Sequence, residues 1–133
     1  EIQILVAMKC LDEGVDIPST KEAYFLASTT NPREFIQRRG RILRKYKEKK
    51  EAILHDFIVL PNIQEKYYSK NNFEVYKSIA KREMPRFAEF SIDAKNTFEA
   101  RNKIYSIIKE MNLLNLFNKK PWEVYKENYK KTQ

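Results

Sequence analysis

Apolar residues follow two textures along the chain, in short unbroken runs up to residue 60 and at the three- and four-residue spacing of helices after Pro61. Residues 2–8 (Ile-Gln-Ile-Leu-Val-Ala-Met) are almost continuously apolar, which predicts a strand buried on both faces of a parallel sheet. Residues 23–28 (Ala-Tyr-Phe-Leu-Ala-Ser) predict a second buried strand, and residues 52–60 (Ala-Ile-Leu-His-Asp-Phe-Ile-Val-Leu) a third. Between the second and third lies a helix with an orderly start. Asn31 is a good N-cap, Pro32 suits the first helical position, and Glu34 is placed to complete a capping box. At roughly 100° per residue, Gln37, Arg41 and Arg44 fall on one narrow arc, while Phe35, Ile36, Ile42 and Leu43 gather opposite. Gly40 sits at the edge of the polar arc. Glycine in a helix interior costs about 1 kcal/mol relative to alanine, so a backbone or ligand is expected to approach closely there. The order strand, loop, strand, helix, strand indicates an α/β unit.

Beyond Pro61, Phe73, Tyr76, Ile79, Ala80, Phe87 and Phe90 keep a helical spacing, with Pro85 expected to kink the helix or end it locally. Ala94, Phe98, Ala100, Ile104, Ile107, Ile108 and Met111 form another such face, so a helical hairpin is expected. In the last segment Trp122, Tyr125 and Tyr129 alternate with lysines. That pattern suits base stacking with phosphate neutralisation, but more often marks a short amphipathic helix docked by its aromatics, the reading preferred here. The expected division is residues 1–61 and 62–133. No internal repeat or low-complexity tract interrupts it.

Charge changes the picture. The net charge is +8 and the pI about 9.5, which makes a polyanion the natural partner. Nine basic residues (Arg33, Arg38, Arg39, Arg41, Arg44, Lys45, Lys47, Lys49, Lys50) face only Glu34 and Glu48 across residues 33–50, so the positive charge is concentrated around the helix. Taken alone, such a run is usually a solvated face. The single cysteine, Cys10, rules out an internal disulfide and is expected to be buried and inert. His55 has no Cys or His at ligand spacing, so it is expected to be structural, and no metal site is expected in this chain. With no secretory signal or membrane-spanning apolar run, a cytoplasmic protein with no membrane partner is expected. The sequence opens without Met on an apolar run, which suggests a fragment of something longer.

Two stretches carry chemistry. Val6-Ala7-Met8-Lys9-Cys10-Leu11-Asp12-Glu13-Gly14-Val15-Asp16-Ile17-Pro18 resembles motif V of superfamily 2 helicases and translocases, and Gln37-Arg38-Arg39-Gly40-Arg41-Ile42-Leu43-Arg44 resembles their motif VI. Order and separation match too, and the combination is most similar to the XPB-like and restriction-enzyme-like branches. The resemblance covers about residues 1–60. It implies the second half of a RecA-like helicase C-terminal domain, parallel strands with flanking helices, followed by an α-helical extension.

The resemblance further implies roles. Arg44 would be the arginine finger reaching the γ-phosphate of ATP across the cleft between two RecA-like domains, with Arg41 beside it. Gln37 would bond near the γ-phosphate or to the acidic box of the partner domain. Asp16 would accept a hydrogen bond from the ribose, and Gly14 would let its loop pass close to the nucleotide. Many relatives carry Thr or Ser near Met8 to contact a nucleic-acid phosphate, which methionine cannot do. Strand contacts would then come from loop amides, Lys9, or Thr29 and Thr30. Arg39 projects to the apolar side, where XPB-like relatives often carry leucine, and is expected to snorkel. No phosphate-binding Gly-x-x-x-x-Gly-Lys-Ser/Thr loop and no Asp-Glu box for Mg²⁺ occur in the sequence. ATP and its Mg²⁺ would therefore be held by an N-terminal ATPase domain outside this chain, and the chain alone is expected to be inactive. A truncated sheet would leave an edge and an apolar face uncovered, favouring self-association. The expected function is ATP-dependent movement on nucleic acid, DNA more than RNA. The alternative is a non-catalytic basic module that binds nucleic acid or a protein.

Overall fold

The computed structural model describes residues 4, 6, 17–26, 29–62 and 70–130. They divide into two compact units, Glu1–Phe57 and Ile58–Gln133.

The first unit is a β-α-β arrangement. Strand β1 (Glu22–Phe25) pairs in parallel with β2 (Ile53–Asp56), and helix α1 (Pro32–Ile42) is the connection between them. This matches the α/β expectation, since parallel strands require such a crossover. Tyr24 lies opposite His55, and Phe25 opposite Asp56. The ladder runs one residue past each strand end, from the Ile53 N–H to the Lys21 carbonyl at 2.8 Å and from the Phe57 N–H to the Phe25 carbonyl at 3.3 Å. Both strands are shorter than the apolar runs predict, and they are buried on one face only. Phe25 is buried, but Tyr24, Leu26, Ile53 and Phe57 are exposed. The expected strand over residues 2–8 lies largely outside the described residues; of the two described there, Ile4 and Val6 are both exposed.

In α1 the stripe Pro32, Phe35 and Ile42 is buried, and Phe35 retains only 1% of its exposure. Arg39 lies on the same stripe at half burial, consistent with a snorkelling stem. The N-cap is as expected: the Asn31 side chain accepts a hydrogen bond from the Arg33 N–H at 3.1 Å. The capping box is not. The Asn31 N–H donates to the Thr29 hydroxyl at 3.1 Å, which leaves Glu34 to accept from the Asn31 side chain at 3.5 Å and to pair with Arg38 at 3.6 Å. Leu43 is the C-cap and is half exposed, not part of the apolar stripe.

The second unit is helical. Helix α2 (Lys70–Ile92) and helix α3 (Thr97–Glu110) form the expected hairpin, followed by a 3-10 turn (Leu114–Phe117) and helix α4 (Pro121–Lys130). Ala80, Met84, Ile108, Met111, Leu113, Leu116, Phe117 and Val124 make one core. Helix α2 does not end at Pro85 but runs through it, with the ring buried. Phe98, expected on the apolar face of α3, is 89% exposed. Helix α3 ends in a Schellman motif: Asn112 adopts φ 54°, its N–H bonds the Lys109 carbonyl, and the Leu113 N–H bonds the Ile108 carbonyl, both at 3.0 Å. Helix α4 is anchored by Pro121 and Val124, whereas Trp122 stays exposed and meets Tyr125 edge to face. Of the aromatics expected to dock this helix, Trp122 is therefore exposed and Tyr125 half-buried, while the Tyr129 side chain lies outside the described residues.

Buried polar groups in this unit are paired. Arg86 bonds Glu83 at 2.8 Å, and the same carboxylate oxygen accepts from the Val59 N–H at 3.2 Å. Arg101 donates to the Ser91 hydroxyl at 3.1 Å and the Phe117 carbonyl at 3.2 Å, with its guanidinium over the Phe117 ring. Such pairing offsets the desolvation of buried polar groups. No helix among the described residues is long and apolar enough to cross a membrane.

Candidate functional site

The candidate residues that are described, Thr29, Thr30, Gln37, Arg41 and Arg44, lie on α1 or just beyond its two ends. At its start, Asn31 and Pro32 set the first turn, and Thr29 fastens it from outside through its hydroxyl. Thr29 thus has a structural job as acceptor, while its own O–H remains a donor. Thr30 beside it is exposed. Along the helix Gln37 is exposed and Arg41 half-buried. Arg44 is not on the helix. The last helical residue is Ile42, the Leu43 N–H closes onto the Arg39 carbonyl at 3.0 Å, and Arg44 follows in exposed, irregular chain. The expected stripe of three is therefore a helical pair, Gln37 and Arg41, plus an arginine on the segment that leaves the helix.

Gly40 is exposed, and a Cβ built on it would meet nothing within 4 Å. The expected close approach does not come from the described residues of this chain. Lys9, Gly14 and Asp16, and Cys10 with them, lie outside the described residues. What is described of that stretch is its exit, where the Thr20 N–H bonds the Ile17 carbonyl at 3.1 Å and closes a turn led by Pro18.

Two features were not legible as site features in the sequence. The first is Lys49, whose ammonium donates to the Pro18 carbonyl at 3.1 Å and to the Ile42 carbonyl. Burial holds its pKa below the usual lysine value. The second is a cluster on the exposed face of the sheet. Glu22 accepts from the Tyr24 hydroxyl at 2.9 Å and shares the same oxygen with His55 Nε2 at 2.7 Å, while the Tyr24 and His55 rings stack at 4.2 Å. The hydrogen bonds from His55 and then Tyr24 hold the Glu22 carboxyl below its ordinary value, and the bond to Glu22 raises the Tyr24 phenol. His55 thus has a carboxylate and a ring as partners, which suits a structural role. Among the described residues no group of three His, Cys, Asp or Glu side chains could hold a metal ion.

Residues 1–46 match the helicase conserved C-terminal domain. Over 58 residues the chain is 41% identical to the DNA 3'-5' translocase XPB2 of Sulfurisphaera tokodaii. This segment is similar to the C-terminal part of XPB-like superfamily 2 helicases. The aligned region is 44% of this chain but only 13% of that relative. No solved structure matches the chain. The helicase segment thus contains α1, Gln37, Arg41 and Arg44, and the second unit lies beyond the family match.

Proposed function

We propose that the helicase segment supplies the arginines that complete ATP hydrolysis in an ATP-dependent DNA translocase, working against an N-terminal RecA-like ATPase domain of the same protein. The observation that carries this reading is the end of α1: Arg41 on the last turn and Arg44 just beyond it, inside a segment of the helicase C-terminal domain. The residues fit a polyphosphate. Arg44 is exposed, and Lys45, Lys47 and Lys50 are exposed beside it, so the local field is positive and directed outward.

ATP would supply the phosphoryl group and the free energy, and its Mg²⁺ would be held by the ATPase domain. The Arg44 guanidinium stabilises the charge that develops on the transferred phosphoryl group, a contribution of roughly 10³ to 10⁵ in rate. Arg41, held on the helix, neutralises the neighbouring phosphates, and Gln37 one turn earlier orients hydrogen bonds at the same edge. Asp16 accepts from the ribose, and Gly14 lets the loop approach it. Lys9, Thr29 and Thr30 meet the nucleic-acid backbone, which positions the strand without reading its sequence.

The position of Arg44 on an exposed basic run also favours a second reading, a phosphate-backbone patch with no part in hydrolysis. Steady-state ATPase assays on the full-length protein separate the two. Arg44→Ala lowers the turnover number by about 10³ or more with nucleotide binding retained on the first reading. Unchanged turnover rejects it.

A further inference from the structure

We propose that Lys49 is a positioning residue that ties the exit of the motif V loop to the exit of the motif VI helix, so that the two move as one piece. The inference rests on the translocase reading above and adds to it a residue outside both motifs. Its ammonium bridges two main-chain carbonyls far apart in sequence, Pro18, 31 residues before it, and Ile42, 7 residues before it.

Each carbonyl matters by its location. Ile42 is the last residue of α1, and its carbonyl is one of those a helix end leaves without an intrahelical partner. A cation there also meets the negative end of the helix dipole. Arg44 lies two residues further on, so the point at which the chain leaves the helix sets where its guanidinium starts. Pro18 closes the motif V stretch and opens the turn that leads into β1. One ammonium can satisfy both carbonyls because it carries three donors.

The backbone is bent to bring it there. The Lys49 N–H bonds the Tyr46 carbonyl at 2.7 Å, which folds residues 46–49 into a tight turn, and Lys47 within it takes φ 21°, a conformation that side-chain-bearing residues rarely adopt. Among the described residues the ammonium has only these carbonyl partners, and burial weighs against its charge. A lysine needed only for solubility would extend into water. This one is turned inward across the ends of two motifs.

The test uses the full-length protein and DNA-stimulated ATP hydrolysis. Lys49→Met keeps the stem and removes the donors. It is expected to lower the turnover number roughly 10- to 100-fold, the scale of a slightly misplaced catalytic group, with KM for ATP nearly unchanged. Lys49→Arg, which can also donate to two carbonyls, is expected to recover most of that loss. In an Arg44→Ala background Lys49→Met is expected to add little, because both act through the same arginine. Turnover unchanged in Lys49→Met overturns the inference, as does a full additional loss in the Arg44→Ala background. Should Lys49→Met fail to fold, Lys49→Leu, which also lacks a donor, and Lys49→Arg carry the same comparison, and turnover equal to wild type in Lys49→Leu overturns it. The translocase reading itself fails differently, when Arg44→Ala alone leaves hydrolysis intact.

Discussion

Replacing Gly40 by alanine tests whether that glycine is kept for stability or for a surface outside this chain. Alanine is better than glycine in a helix interior by about 0.5–1 kcal/mol. No steric clash reduces that gain, since the added Cβ meets no atom within 4 Å and position 40 is exposed. The position is two residues from the end of α1, where fraying is expected to bring the gain toward the lower figure. For a unit of this size, a change of 0.5–1 kcal/mol raises the unfolding midpoint by about 2–8 °C. Urea and thermal denaturation of the chain followed by circular dichroism measure it. A destabilised Gly40→Ala would mean instead that glycine serves the fold itself. The informative companion is DNA-stimulated hydrolysis by the full-length variant. A fall in turnover at raised stability identifies a close approach to Gly40 from beyond this chain.

Asn31→Ala removes the acceptor for the Arg33 N–H and is expected to cost about 1 kcal/mol in denaturant titration, whereas Asn31→Asp is expected to be nearly neutral. Thr29→Ala is expected to cost about 0.5–1.5 kcal/mol through the Asn31 N–H it leaves unpaired, and Thr29→Ser to restore it. In the helical unit, Asn112→Gly is expected to hold or raise the melting temperature, and Asn112→Val to lower it, because φ 54° is open to glycine and closed to a β-branched side chain. Glu22 titrates below its ordinary 4.5 in the folded chain, so its contribution is present above that pH and is lost as pH falls through the lowered value. Stability measured from pH 7 downward is therefore expected to fall more steeply for wild type than for Glu22→Gln.

Local chemistry was readable in the sequence wherever one residue decides it. Asn31 and Pro32 start α1 as expected, and the apolar spacing of Phe73 to Phe90 and Ala94 to Met111 marks the hairpin. Expectations failed where a group outside the helix intervenes. The arginine arc assumed that α1 continues to Arg44, but it stops at Ile42, whose carbonyl is taken by a lysine seven residues later. The capping box assumed that Glu34 serves the Asn31 N–H, and Thr29 reaches it first. In α4, Trp122 was expected among the anchoring aromatics, yet it is exposed while Pro121 and Val124 are buried, Val124 in the core. Periodicity marks which residues can be buried, while the neighbours present decide which of them are.

Arg44 is proposed to act on a phosphoryl group in transfer rather than on a nucleic-acid backbone. The most direct test is one preparation of full-length Arg44→Ala assayed twice, for single-turnover ATP hydrolysis and for DNA affinity across a salt series. Hydrolysis is expected to be slower by about 10³ or more, with DNA affinity and its salt dependence unchanged. Hydrolysis at the wild-type rate, with weaker DNA binding and a shallower salt dependence, would contradict that role and make the end of α1 a phosphate-backbone contact.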